Sequence, residues 1–110
     1  ANKSWCWTGD NAVAAINTWH HYAFTFNAGT FAFYVDGVAI DATETQGNTG
    51  TVINNDDCPV LIGGRFSNSG TPAYEHYFDG KIGDVMIFSK VLSAVDIKNL
   101  YELTKWRFQK

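Results

Sequence analysis

Asp36 and Gly37 sit between two short apolar runs, residues 31–35 (FAFYV) and 38–42 (VAIDA), and this dipeptide constrains the chain more tightly than any other. An Asp-Gly pair accepts positive φ at both central positions, and a turn built that way matches the right-handed twist of the strands it joins. A tight hairpin is predicted here. Upstream, residues 19–26 (WHHYAFTF) alternate His20, Tyr22, Phe24 and Phe26 with Trp19, His21, Ala23 and Thr25. That period of two, rich in aromatics, predicts a strand with one strongly apolar face. Asn27-Ala28-Gly29-Thr30 reads as a short turn, after which Phe31, Phe33 and Val35 fall on one side. Three consecutive antiparallel strands follow from local pattern alone.

The flanking segments extend the same reading. Residues 43–57 carry Gly47, Asn48, Gly50, Asn54, Asn55, Asp56 and Asp57 and are predicted as loop, with a short strand at 51–53, because Gly accepts positive φ and Asx side chains bond nearby backbone. Residues 59–64 (PVLIGG) read as a short buried strand ended by a glycine pair that permits close backbone approach. Residues 65–74 read as polar loop; 76–78 and 81–89 are predicted as strands around an Asp79-Gly80 turn, with Ile82, Val85, Ile87 or Met86 and Phe88 packing on one or both faces. Ahead of the central hairpin, residues 3–7 and 12–16 read as strands about a Gly9-Asp10-Asn11 turn. A single helix is predicted near the end, where Ser93-Ala94-Val95-Asp96 has the spacing of a capping box and Ile97, Leu100 and Tyr101 follow at helical intervals.

At 110 residues the chain is expected to form one domain, since two would each have a marginal core. With 45% hydrophobic and 17% charged residues it falls outside the composition of disordered chains. A net charge of -3 and the lack of a basic run exclude a nucleic-acid partner, which needs a positive patch. The apolar runs are too short to span a bilayer, so no membrane partner is expected. Cys6 and Cys58 have no zinc or redox spacing and leave two readings, a disulfide formed in an oxidising compartment or two buried free thiols. The sequence begins at Ala1, which is expected of a processed form or of a domain from a longer chain. Asn2-Lys3-Ser4 matches a glycosylation acceptor pattern.

Taken in order, WHHYAFTF at 19–26, FYVDG at 33–37, LIGG at 61–64, FDGKIGDVMIF at 78–88 and LSAVDIKNLY at 92–101 resemble the laminin-G-like family of concanavalin A-like jelly rolls, pentraxins included. The resemblance implies an all-β fold, an antiparallel jelly-roll β-sandwich with one short C-terminal helix. Family members carry several strands before the Trp-His-His segment, so the chain resembles the C-terminal two-thirds of such a domain. Either the sequence is a fragment, or the fold is trimmed, or missing strands are supplied by the parent chain or by a homo-oligomer, because a sandwich lacking strands leaves apolar faces and unpaired edges.

The chemistry expected of the site is recognition. Glycoside hydrolases on this sandwich use an E-x-D-x-x-E strand, whose alternation sets the nucleophile and the acid on one face. Glu44, Glu75 and Glu102 are isolated and no such triplet occurs, so no enzyme is expected. Pentraxins hold calcium with carboxylates after the strand that resembles 60–64, where this chain has Arg65, Phe66, Ser67 and Asn68; that site is not carried over. Calcium, if bound, would fall to the oxygens of Asn54, Asn55, Asp56 and Asp57, against the alternative of an Asx-rich turn. His20 and His21 are adjacent on a strand, face opposite sides and cannot chelate together. Asp36, Asp79 and Asp84 are read as structural. Trp7, Arg65, Asn68, Tyr74 and Tyr77 are the ligand-binding candidates, as rings with polar edges suit sugars and peptides alike.

These readings lead to a non-catalytic binding or adhesion module of a secreted or cell-surface protein, recognising glycan or protein ligands. The alternatives are a structural or assembly domain of a surface, virion or phage structure, and a fragment of a sandwich-fold glycoside hydrolase.

Overall fold

The computed structural model describes residues 6–9, 15–28, 30–46, 60–67 and 73–108, with 6–9, 42–46 and 67 described as backbone. They divide between two compact units, Ala1–Val52 with Phe88–Lys110, and Ile53–Ile87.

The first unit contains β1 (Cys6–Gly9), β2 (Tyr22–Asn27), β3 (Thr30–Val35), β4 (Val38–Ile40), β5 (Ala42–Gln46), α1 (Ala94–Thr104) and a 3-10 turn at Lys105–Arg107. β2, β3 and β4 form an antiparallel meander in that order. Val35 faces Val38 across a two-residue connection, with φ of 50° at Asp36 and 77° at Gly37, the double positive-φ turn predicted for Asp-Gly. The Gly is needed for space as well, because a Cβ there would lie 3.1 Å from the Lys98 Cα. Register pairs Tyr22 with Val35, Phe24 with Phe33 and Phe26 with Phe31, and Phe33 with Ile40. Directly opposed residues share a face, so one face of the sheet is wholly apolar. Its rings meet: Phe24 and Phe33 are stacked with centroids 6.2 Å apart, and Phe26 and Phe31 are 4.7 Å apart.

β1 pairs antiparallel with β5, with a register irregularity between Cys6 and Trp7. Residues 43–46 were predicted as loop and are strand instead. Their Thr and Glu residues give no apolar alternation, and the backbone ladder to β1 decides their state. Ala15 and Ile16 do not continue a strand; the chain turns at Ile16-Asn17, with Asn17 at φ 62°.

The helix is where its cap places it. Ser93 Oγ accepts from the Asp96 N–H at 3.1 Å, and Asp96 Oδ2 accepts from the Ser93 N–H at 3.0 Å, so both halves of the capping box are present. Ile97, 1% exposed, is the anchor, and with Tyr34 and Val35 it makes up the buried apolar set among the described residues. The hydrogen bonds from Ser93 hold the Asp96 carboxyl below its usual value. A folded value below the unfolded one means a contribution fully present above about pH 3.9 and lost as pH falls through the folded value. Ser93→Ala is expected to cost about 1 kcal/mol at neutral pH in urea denaturation, and the gap between Asp96 and Asp96→Asn proteins should close on acidification.

The second unit contains β6 (Arg65–Ser67) and β7 (Ala73–Glu75), an antiparallel pair. Here the structure corrects the sequence reading. Residues 60–64 are not strand, and Val60 and Ile62 are 83% and 58% exposed. Gly63 at φ 75° bends the chain, and its carbonyl accepts from the Phe78 N–H at 2.8 Å. The segment predicted as polar loop supplies both strands. Residues 76–78 and 81–88 make no ladder, and Ile82, Val85, Met86, Ile87 and Phe88 are half or more exposed or nearly so, where buried strand faces were expected. An apolar run becomes a strand only beside a partner strand, and none stands beside this one among the described residues.

Candidate functional site

Three of the ligand candidates, Arg65, Tyr74 and Tyr77, are brought together on the β6–β7 hairpin and the residues that leave it. Arg65 is paired with Glu75, Phe66 with Tyr74 and Ser67 with Ala73. Strand alternation therefore sets the Arg65–Glu75 pair on one face and the Phe66–Tyr74 pair on the other. The latter rings lie 5.3 Å apart, tilted by 57°.

His76 has φ 53°, a left-handed conformation that breaks the alternation and turns the following chain back over the hairpin. Tyr77 folds accordingly: its hydroxyl donates to the Tyr74 carbonyl at 3.1 Å, and its ring edge lies 3.6 Å from where a Cβ on Gly64 would stand. The hydrogen bond fixes one end of the ring while Tyr77 stays 72% exposed and Tyr74 56%. Phe78, 60% exposed, continues the aromatic surface. Two tyrosine rings and a phenylalanine ring are thus presented on one short stretch of backbone.

The polar groups on the opposite face of the hairpin are loosely held. Arg65 Nε is 3.8 Å from Glu75 Oε1, and His76 Nε2 is 3.7 Å from the same oxygen, at side chains 40–69% exposed. Such exposed pairs contribute little to stability because water screens them. Their cost to rearrange is equally small, so the guanidinium is available to a hydroxyl or carboxylate arriving from outside. The aromatic face can stack on a flat apolar surface, and the opposite face can donate hydrogen bonds through Arg65.

The other candidates divide as follows. Asn68 lies outside the described residues, as do Asn54, Asn55, Asp56, Asp57 and Cys58, and the side chains of Cys6 and Trp7 are likewise outside them. Sequence reasoning passed over Phe66, Glu75, His76 and Phe78 as members of the site. The opposite charges of Arg65 and Glu75 and the aromatic pair Phe66 and Tyr74, nested symmetrically about 68–72, were the available signal.

Asp36 is structural and central to the first unit. Its Oδ1 accepts from the His21 N–H at 2.9 Å, its Oδ2 lies 2.7 Å from His20 Nδ1, and its own N–H donates to the His21 carbonyl at 2.8 Å. His20 Nε2 is 2.7 Å from Thr18 Oγ1. The two histidines do diverge: the His21 ring lies 6.0 Å from that of Tyr101, and its Nδ1 is buried without a hydrogen-bond partner. Among the described residues, no group of three or more His, Cys, Asp or Glu could hold a metal ion, and no helix is long and apolar enough to cross a membrane.

A laminin-G family model, described as the concanavalin A-like lectin/glucanases superfamily, matches residues 1–98 and so takes in the stretch ahead of Trp19. Among solved structures, the chain is similar to residues 221–444 of an S-layer domain-containing protein from Clostridium thermocellum, with a TM-score of 0.63 and 25% identity over 83% of this chain. The match spans 42% of that structure's chain. No curated protein matches the sequence.

Proposed function

The chain belongs to the concanavalin A-like lectin/glucanases superfamily, and from that premise we propose that it is a non-catalytic binding module of a secreted or surface protein, recognising glycan or protein ligands. The observation that carries this reading is the β6–β7 hairpin, where Tyr74 and Tyr77 are both more than half exposed while a hydrogen bond holds Tyr77 in place. A ring immobilised before binding loses little conformational freedom on contact, and its face suits the apolar side of a sugar or the stem of a side chain. Arg65, on the opposite face of the hairpin, offers a separate polar contact at its edge. The superfamily includes glucanases by description, but the carboxylate triplet of sandwich hydrolases has no counterpart in the sequence.

A glycan array followed by calorimetry, each with and without calcium, tests the reading. Tyr77→Ala is expected to weaken a detected ligand by about tenfold or more, in line with loss of an anchoring aromatic, and Tyr77→Phe by less, since the ring stays. Binding unaffected by Tyr74→Ala, Tyr77→Ala and Arg65→Ala together would remove the hairpin from the site.

A second reading, an assembly domain within a surface structure, is favoured by the similarity to the S-layer domain-containing protein. A ligand-free array together with an ordered multimer would select it.

A further inference from the structure

We propose that His20 is a proton-dependent clasp, holding residues 15–18 to the β3–β4 turn only while its ring is doubly protonated. A count of protons carries the inference. His20 Nδ1 lies 2.7 Å from Asp36 Oδ2, and a carboxylate can only accept, so Nδ1 carries a proton. At the other end of the ring three atoms form a triangle. Nε2 is 2.7 Å from Thr18 Oγ1 and 3.2 Å from the Ala15 carbonyl oxygen, and Thr18 Oγ1 lies 2.7 Å from that same carbonyl. The hydroxyl has one proton to give. If the carbonyl takes it, a bare Nε2 sets its lone pair against those of both oxygens. If Nε2 takes it, the hydroxyl and carbonyl oxygens meet with no proton between them. A proton on Nε2 satisfies every contact at once, and His20 is then an imidazolium paired with Asp36.

The surroundings assign this proton to His20 and not to its neighbour. Asp36 faces the ring from the turn, with its other oxygen on the His21 N–H, and Tyr22 faces it from β2, with ring centroids 6.4 Å apart. The 15–18 segment brings a hydroxyl and a carbonyl. α1 reaches the same turn at Gly37, through the Lys98 backbone and the Tyr101 ring. His21 lies toward that Tyr101 ring, and its buried Nδ1 has no partner, so a proton there would be buried without an acceptor. The side chains of His20 and Asp36 are 17% and 32% exposed, which keeps the pair in exchange with solvent while shielding it in part from screening. An unfolded histidine loses its proton near about pH 6.5. Above that pH the folded chain holds a proton that the unfolded chain has given up, so the clasp contributes stability that is present at lower pH and lost as pH rises. The dependence runs opposite to that of Asp96, whose contribution is lost as pH falls.

Imidazole nitrogen chemical shifts of the full chain test the proposal directly. At about pH 7, where a free histidine is mostly neutral, both ring nitrogens of His20, identified by their proximity to Thr18, should be protonated, whereas His21 should show one bare nitrogen. Urea denaturation gives an independent readout. Between about pH 6.5 and about pH 8 the folding equilibrium constant of the parent should fall about threefold or more relative to that of His20→Gln, the limit for one proton being about tenfold per pH unit. The comparison cancels the titration of exposed His76. Thr18→Val, at an exposed position, leaves Nε2 with the Ala15 carbonyl alone and should at least halve that fall. A His20 ring with one bare nitrogen at about pH 7 overturns the proposal, whether or not His20→Gln folds. So does a pH dependence that Thr18→Val shares in full with the parent.

Discussion

Asp36→Ala is expected to lower the unfolding free energy by about 3–4 kcal/mol in urea denaturation. Two losses combine. The carboxylate accepts from the His21 N–H at 2.9 Å and sits 2.7 Å from His20 Nδ1, and hydrogen bonds to a charged group contribute about 1.5–3 kcal/mol apiece when not fully exposed. Partial solvent access, 32% at the Asp36 side chain, discounts the two contacts together to about 2 kcal/mol. The substitution also puts alanine at φ 50°, where a Cβ costs about 1–2 kcal/mol that Asp offsets through its local hydrogen bonds. Asp36→Gly separates the two, removing the contacts without the steric cost, and should lose about 2 kcal/mol. Equal losses for the Ala and Gly variants would show that backbone conformation contributes nothing at this turn.

Ile97→Ala is the second large effect, about 2–5 kcal/mol. Ile97 is 1% exposed on a helix whose Val95 is 66% exposed and Leu103 71%, so its side chain is what fastens α1 to the unit. Truncation removes apolar burial and leaves a cavity that the short helix cannot close by shifting, because the capping box fixes its start. Ile97→Val should lose only about 1 kcal/mol, and Val95→Ala should fall within about 0.5 kcal/mol of the parent. A loss at Val95 matching that at Ile97 would place the packed face of the helix elsewhere.

These two residues mark what was legible in the sequence. Asp36-Gly37 carries its conformation in its own chemistry, so the hairpin, its register and the apolar face of β2 followed from pattern. Ser93 and Asp96 satisfy each other locally, and the helix start was equally readable. Where state depends on a distant partner, pattern misled. β5 is polar and becomes strand through its ladder with β1, whereas 81–88 has a run of apolar residues at 85–88 and no described neighbour to pair with. Arg65, Tyr74 and Tyr77 were singled out for their chemistry, but the hairpin that carries them lay hidden in a segment with the composition of a loop. His76 at φ 53°, the residue that turns Tyr77 back, offers no sequence signal beyond a modest tolerance of that conformation.

The connection of β2, β3 and β4 by two short turns sets the order in which the first unit assembles. Each pairing in the meander closes only a few residues of chain, and local closures precede distant ones because less conformational entropy is lost before contacts form. β1 and β5 bracket the whole meander, so their ladder is expected to form on a hairpin already made. Substitutions at the Asp36-Gly37 turn are therefore expected to act on the rate of folding, and substitutions in the β1–β5 ladder on the rate of unfolding, a division that stopped-flow refolding and unfolding rates would check.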